Sequence, residues 1–326
     1  MRFAFSCIIV LLIVLVSNYC FSAGQPFVQS NDKKVTIGVV LPPPDHPWLA
    51  ENAKYAQKAA SMLGGKCRLI LLNSAKDSAT QINEVESLLT KKVDGIVLFA
   101  IEGSPLTPIC KKIKRAGIPL ASVSRIINSN DYTIKVEGDN KLIGRMAAEY
   151  IGKKLRSGKV ALITGVPGAS DSLDRINGFK NEIKNYPNIE LVASLPGHFV
   201  IEKGMSAMEN ILTAHPEVKA VYALSDAMAL GADMAIKSRG LTNKIFIIGS
   251  DGNKEMFKRI KNDKSSCVAT ITYPPSMTGD AVLFIYLAIQ GKGIPGTFDP
   301  LIPVSYKVRS TLITKDDIDK YQHLAF

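Results

Sequence analysis

The stretch LTAHPEVKAVYALSDAMALG, residues 212–231, decides the fold. Its apolar run from Ala220 to Ala223 predicts a short buried strand, and the residues from Ala227 onward follow a helical period. Ser225 and Asp226 lie between the two, where a parallel strand would end. A strand, a polar turn and a helix in this order form the repeating unit of a doubly wound α/β sheet.

The same unit repeats on both sides of this stretch, with amphipathic helical segments between the strands. Ten strands are predicted, at Val35 to Leu41, Arg68 to Leu72, Gly95 to Phe99, Pro119 to Val123, Tyr132 to Val136, Lys159 to Ile163, Ile189 to Ala193, Ala220 to Ala223, Ile245 to Ile248 and Val268 to Ile271. A single sheet rarely holds ten strands. Two similar lobes joined by crossovers therefore explain the 326 residues better.

The first residues indicate export. Arg2 precedes an apolar run, and small and polar residues follow around positions 22–24, which is the pattern of a secretory signal. The run is too short to cross a bilayer comfortably. We predict a signal peptide at residues 1–24 and export of the mature protein, which the family resemblance described below would place in the periplasm. Lipid anchoring at Cys20 is the weaker alternative, because the bulky Tyr19 stands where such a cleavage site needs a small residue.

The charge balance is strongly basic, with a formal net charge of +11. The positive residues are scattered, as in the predicted helix that carries Lys111, Lys112, Lys114 and Arg115, and no aromatic residues alternate with them. No helix-turn-helix pattern is present. We therefore expect a solvated basic surface and no nucleic-acid partner.

The residue types that carry out catalysis or hold metals are scattered along the chain. Beyond the predicted leader the cysteines are an odd, widely spaced set that predicts buried hydrophobic residues rather than disulfides: Cys67, Cys110 and Cys267. The histidines are isolated as well: His46, His198, His215 and His323. No HExxH or GxSxG motif occurs. We expect no enzymatic activity, no metal and no cofactor.

Six motifs, in a fixed order, resemble the ribose-binding proteins and their relatives. They are residues 212–231, GVVLPPPDHPW (38–48), AGIPL (116–120), GDNKLIG (138–144), DRINGF (174–179) and IIGSDG (247–252). The resemblance runs from about Val35 to Lys307. It implies a type I periplasmic-binding fold, an α/β fold with two Rossmann-like lobes, three hinge crossovers and a ligand cleft between the lobes.

The resemblance also implies where the lobes divide. Residues 33–138 and 274–303 would form the N-terminal lobe, and residues 139–273 and 304–326 the C-terminal lobe. The crossovers would lie near Gly138, Tyr273 and Pro303. The matched motifs fall at the carboxyl ends of the predicted strands, which is where doubly wound sheets bind ligands.

Several matched positions are ligand contacts in the family. Trp48 and Phe199 match aromatic residues that stack on the sugar, and Arg125 and Arg175 match arginines that reach ligand oxygens. Asp251 matches an aspartate that accepts hydrogen bonds from sugar hydroxyls. The full expected ligand-binding set is His46, Trp48, Leu49, Ser124, Arg125, Arg175, Phe199, Ser225, Asp251 and Tyr273.

Some positions depart from the ribose-binding pattern. Ser124 stands where an aspartate is usual, Ser225 and Phe99 replace asparagines, and Tyr273 replaces a glutamine. These departures argue against ribose itself as the ligand.

The missing carboxylate beside Arg125 allows two interpretations of the ligand's charge. A buried, unpaired guanidinium is costly, so the ligand could carry a carboxylate or phosphate. Alternatively, Glu102 or Asp251 pairs with the arginines and the ligand is neutral. The family resemblance favours the neutral ligand.

We therefore expect a monomeric solute-binding protein that captures a sugar or sugar-like ligand by hinge closure and delivers it to the membrane permease of an ABC transporter. The alternatives are a ligand-sensing protein for a membrane chemoreceptor or histidine kinase, or a binder of an anionic sugar acid or sugar phosphate. The sequence does not separate transport from sensing, since both use the same closure.

Overall fold

The computed structural model describes residues 34–125, 127–295 and 301–326. The predicted signal peptide lies outside these residues. The strands are β1 Val35–Val40, β2 Cys67–Leu72, β3 Gly95–Leu98, β4 Leu120–Val123, β5 Ile134–Gly138, β6 Gly158–Thr164, β7 Ile189–Pro196, β8 Val218–Ala223, β9 Phe246–Asp251, β10 Cys267–Thr272, β11 Ser305–Val308 and β12 Leu312–Thr314.

Helices connect most of these strands. They are α1 Pro47–Met62, α2 Ser78–Thr90, α3 Gly103–Arg115, α4 Asn140–Leu155, α5 Ser170–Ile183, α6 Ile201–Ala214, α7 Asp226–Ser238, α8 Lys254–Lys261, α9 Met277–Ile289 and α10 Ile318–Tyr321. Among the described residues, none of these helices combines the length and the apolar character that a membrane-spanning helix requires.

The first lobe is built on a parallel sheet with the strand order β11-β5-β4-β3-β1-β2. Its central strands are apolar on both faces, and every residue of β3 and β4 is buried. A strand buried on both faces needs helices on both sides of the sheet. Helix α9 packs on the sheet and on α1, although it comes late in the chain.

The second lobe repeats this plan with the order β12-β10-β9-β8-β6-β7. Its strands are parallel except β12, which runs antiparallel to β10 at the edge of the sheet. Helices α4 and α5 pack against each other, as do α6 and α7. The expected architecture of two parallel-sheet α/β lobes is confirmed.

The chain passes between the lobes three times. The first passage lies between β5 and α4, at residues 138–140, and the second between β10 and α9, at residues 272–277. Gly138 is needed at the first passage, because a side chain there would collide with the ring of Tyr273 at the second. The two passages therefore pack directly on each other.

The third passage differs from the expectation. The sequence placed it near Pro303 and assigned residues 304–326 to the second lobe. Instead, β11 pairs with β5 of the first sheet, from Ser305 opposite Lys135 to Val308 opposite Gly138. The chain crosses only between β11 and β12. The boundary was wrong because β11 is a half-exposed edge strand with no continuous apolar run.

Each of the ten predicted strands overlaps one of β1 to β10, with ends that differ by a few residues. The edge strands β11 and β12 were not predicted. They have four and three residues, too few for a period of two to stand out.

Candidate functional site

A cavity of about 300 Å³ lies between the lobes, at the carboxyl ends of their strands. The first lobe contributes His46, Trp48, Leu49, Phe99 and Arg125, and the second contributes Asp171, Arg175, Phe199, Ser225 and Asp251, among others. A second cavity of about 550 Å³ adjoins it and shares the four residues His46, Leu49, Arg125 and Phe199. The two cavities together form one cleft.

The structure brings most of the predicted ligand-binding residues together. Nine of the ten line the smaller cavity: His46, Trp48, Leu49, Arg125, Arg175, Phe199, Ser225, Asp251 and Tyr273. The tenth, Ser124, is buried behind them, with its Oγ 2.9 Å from the Tyr273 hydroxyl oxygen. Ser124 therefore supports Tyr273 rather than lining the cavity. Direct ligand contact by the other nine stays a prediction.

Trp48 is held rigidly at the start of α1. Pro47 opens the helix, a position where its missing N–H is not needed. The indole ring stacks on Tyr273, with ring centres 5.2 Å apart, and meets the edge of Phe99 at 5.8 Å. Its Nε1–H donates to the carbonyl oxygen of Tyr273 at 2.7 Å. The first lobe thus carries a fixed aromatic plate tied to the second passage between the lobes.

Phe199 provides an aromatic ring from the second lobe. His198 and Phe199 both have a positive φ, at 52° and 65°, which residues other than glycine rarely adopt. The ring lies against Gly165, where any side chain would collide with it. Backbone strain of this kind persists only where surrounding contacts enforce it. The loop after β7 is therefore built to place this ring in the cavity.

Arg175 is almost completely buried in the second lobe, and its Nε and Nη1 donors have partners there. Nε donates to Asn140 Oδ1 at 2.9 Å, and Nη1 donates to the carbonyl oxygen of Leu224. Nη1 also lies 3.9 Å from Asp251 Oδ1. The guanidinium sits over the ring of Tyr273, 4.5 Å from its centre. This side chain is fixed before any ligand arrives.

Arg125 follows β4 in the first lobe and is less completely held. It donates to the carbonyl oxygen of Ile101, and its guanidinium lies 5.5 Å from the centre of the Phe99 ring. Its Nε lies 3.8 Å from Oδ2 of Asp171, in the opposite lobe. Within the described residues this buried Nε–H has no hydrogen-bond acceptor.

Two carboxyl groups of the second lobe lie close together at this end of the cleft. Asp226 is buried, and it accepts hydrogen bonds from the Thr270 hydroxyl and from the N–H groups of Gly252 and Asn253, at 2.7 to 2.9 Å. Burial raises the pKa of Asp226 to about 6. Burial, and next the charge of Asp226, raise the pKa of Asp251 well above its usual range. Asp226 fixes the loop after β9, and Asp251 faces the cavity.

The charges in the cavity balance. Arg175 lies next to Asp251, as one interpretation of the sequence proposed, whereas the carboxylate near Arg125 is Asp171 and not Glu102. Burial is the main cause that lowers the pKa of His46, which keeps its imidazole neutral at neutral pH. Asp226, with a pKa of about 6, is ionised at neutral pH and supplies the negative charge beside Arg175, so an anionic ligand is not needed to neutralise the arginines.

The sequence interpretation missed Asp171 and Phe326, which also line the cavity. Asp171 precedes Arg175 by four residues on α5, a spacing that puts both on one face of a helix and could have indicated it. Phe326 lies far from every motif. The N–H of Lys254, at the start of α8, donates to its carbonyl oxygen at 3.0 Å and holds it at the cleft.

Comparison with known proteins shows which family the chain resembles. A family model described as a periplasmic binding protein domain matches residues 37–293. The ribose import binding protein of Bacillus subtilis (strain 168) is 33% identical over 283 residues, which is 86% of this chain and 90% of that protein. The galactofuranose-binding protein of Escherichia coli (strain K12) is 31% identical over 307 residues, 90% of this chain and 93% of that protein.

A solved structure agrees with these relatives. The crystal structure of a galactofuranose binding protein superposes with a TM-score of 0.80 at 27% identity, covering 90% of this chain and all of the other. The agreement extends over both lobes, since the superposition covers 90% of this chain.

Proposed function

The chain belongs to the family of type I periplasmic sugar-binding proteins, and from this premise we propose that it captures a small neutral sugar, or a similar polyhydroxy compound, between its lobes for delivery to the permease of an ABC transporter. One observation carries the proposal. The cavity combines aromatic rings from both lobes with two arginines whose charges are already matched, Arg125 by Asp171 and Arg175 by the buried pair Asp226 and Asp251.

This combination suits the chemistry of a sugar. A pyranose or furanose has C–H bonds on its faces and hydroxyl groups around its rim, so it needs flat apolar surfaces together with directed polar groups. Trp48 and Phe199 offer the surfaces, while Arg125, Arg175 and Asp251 offer donors and acceptors. A volume of about 300 Å³ lies at the small end of ligand sites, which favours a monosaccharide.

The relatives support import of a sugar without selecting which one. Proteins named for ribose import and for galactofuranose binding are similarly related to this chain. The departures at Ser124, Ser225 and Tyr273 support a sugar other than ribose. Relatives above 30% identity that are named import binding proteins favour transport over sensing.

Binding would work by closure of the lobes. Trp48 and Arg125 approach the ligand from the first lobe, and Arg175, Phe199 and Ser225 from the second, with Asp251 near the hinge. Contacts from both lobes can form together only in the closed state, so the ligand shifts the population toward it. The closed shape is then what a permease recognises.

A thermal-shift screen tests this function. The protein without residues 1–24 is melted with neutral monosaccharides, polyols, sugar acids and sugar phosphates. A ligand at a hundred times its Kd stabilises the folded state by about 2.7 kcal/mol, which raises Tm by roughly 5 °C. We expect a shift with one or a few neutral compounds. Shifts confined to acids and phosphates, or no shift with any compound, would contradict the proposal.

A further inference from the structure

We propose that Asp171 is a specificity-determining residue of this cleft: its carboxylate and Arg125 of the opposite lobe hold the lobes together and select a neutral hydroxyl ligand over an anionic one. The inference deepens the proposed function and rests on it. It concerns a position that none of the six family-like motifs includes.

The pair spans the cleft. Arg125 follows β4 in the first lobe, and Asp171 lies in the first turn of α5 in the second. The Nε atom of Arg125 and Oδ2 of Asp171 are 3.8 Å apart, and the two side chains are 14% and 10% exposed. Both residues line the smaller cavity. This contact between the lobes therefore runs through the ligand site and not through the hinge.

Asp171 is held in place by its own helix. Its Oδ1 accepts a hydrogen bond from the N–H of Ser172 at 2.8 Å, which leaves Oδ2 to face Arg125. The first turn of a helix is the positive end of its dipole, which favours a negative charge there. The carboxylate thus keeps its position whether or not the lobes are closed.

Arg125 has a donor that no described residue satisfies, and a ligand reaches it when the lobes part. Its Nε–H is buried and meets no hydrogen-bond acceptor among the residues that the structure describes. A separation of 3.8 Å from Asp171 is too long for a direct hydrogen bond, although it is short enough for an attraction between charges. Ser124, the immediate neighbour of Arg125, is neutral and lies against the Tyr273 hydroxyl.

A hydroxyl group is the ligand group that matches this arrangement. It can accept from the Nε–H of Arg125 and donate to Oδ2 of Asp171 at the same time. An ionised carboxylate or phosphate oxygen can accept from Arg125, but it has no proton for Asp171 and would meet a like charge. The pair therefore discriminates by charge, and a bound hydroxyl strengthens the link between the lobes.

The variant Asp171→Asn tests the inference, with Asp174→Asn as the matched control. Asparagine keeps the oxygen that accepts from Ser172, so the helix start is preserved. Asp174 lies on the same helix, is not part of the cavity lining and faces Lys141 at 3.7 Å. Both variants remove one negative charge from α5, so only the position of the charge differs.

The first readout is affinity, measured by isothermal titration calorimetry with matched probes: D-galactose against D-galacturonate, and D-ribose against D-ribose 5-phosphate. We expect the wild-type protein and Asp174→Asn to prefer the neutral member of a pair that binds. In Asp171→Asn that preference falls at least tenfold. An unchanged preference, or an equal loss for both members, overturns the inference. Wild-type binding of only the acidic members would contradict the proposed function as well.

The second readout needs no ligand. Small-angle X-ray scattering of the ligand-free proteins reports how far the lobes are apart. We expect a larger radius of gyration for Asp171→Asn than for the wild type and Asp174→Asn. An equal radius for all three overturns the link between the lobes even if no probe binds, so the inference and the proposed function fail in distinguishable ways.

Discussion

The cleft contains two arginine–aspartate pairs, one within a single lobe and one between the two lobes. Arg175 and Asp251 both belong to the second lobe, whereas Arg125 and Asp171 face each other across the cleft. The separations are nearly equal, 3.9 and 3.8 Å. The first pair exists in any arrangement of the lobes, and the second exists only when they are close.

The two arginines also differ in how fully their surroundings bury them and satisfy their hydrogen-bond donors. Arg175 is 3% exposed, donates to Asn140 and Leu224, and lies over Tyr273. Arg125 is 14% exposed and keeps one buried donor without an acceptor in the described part of the chain. One pair is therefore part of the scaffold of the second lobe, and the other is part of the closing movement.

The largest effect is expected for Arg175→Ala. The substitution leaves the buried Asp251 and the Asn140 oxygen without their partner, and breaking a buried pair costs about 3 to 5 kcal/mol of folding stability. Ligand affinity should fall at least a hundredfold as well. Urea denaturation and calorimetry measure the two losses, with Arg145→Ala on the exposed face of α4 as control. Unchanged stability would contradict a role in the scaffold.

Arg125→Ala should have a smaller effect that is confined to the ligand and to closure. Asp171 would keep its Ser172 hydrogen bond and its place at the start of α5, so we expect stability to change by only about 1 kcal/mol. Affinity should fall at least tenfold, since a donor to the ligand is lost. The control is Arg115→Ala, an exposed arginine of the same lobe. A stability loss as large as that of Arg175→Ala would contradict the claim that the two arginines have different roles.

The smallest effect is a pH dependence of folding stability, caused by Asp251 of the pair within the second lobe. Burial and the charge of Asp226 raise the pKa of Asp251 well above its usual 3.8, so the folded protein keeps a proton that the unfolded chain has released. Its contribution to stability is full below pH 3.8 and is lost as the pH rises through the folded pKa. The contribution of Asp251 to the free energy of unfolding should therefore increase as the pH falls from 7.5 toward 5.

Asp251→Asn isolates this contribution. We expect a smaller rise of Tm on acidification than in the wild type, though not a zero one, because burial also raises the pKa values of Asp226 and Asp280 to about 6. Asp174→Asn, outside the cavity, should keep the full rise. An equal rise in Asp251→Asn and the wild type would show that Asp251 is not the titrating group.

The two pairs also differ in how far the sequence could predict them. Arg175 and Asp251 lie in the family-like motifs DRINGF and IIGSDG, and the proposed pairing of an arginine with Asp251 agrees with the structure. The pairing of Arg125 with Asp171 was missed. It joins residues 46 positions apart that meet only after both lobes have folded and closed.

The strands differ in the same way: some are predictable from their own residues, and others depend on pairing with a distant part of the chain. Apolar runs predicted β1 to β10, because each buried strand carries its own pattern. The short edge strand β11 carries no such pattern, and its pairing with β5 depends on a contact between residues 305 and 135. That is why the third passage between the lobes was placed too early.

The central claim is that a small neutral sugar binds between the lobes and draws them together. Small-angle X-ray scattering of the wild-type protein, with and without a saturating amount of the neutral compound that gives the largest thermal shift, tests it most directly. The account predicts a smaller radius of gyration with the compound bound. A radius that does not change at saturation would mean that the compound binds without closing the cleft, which would contradict the account.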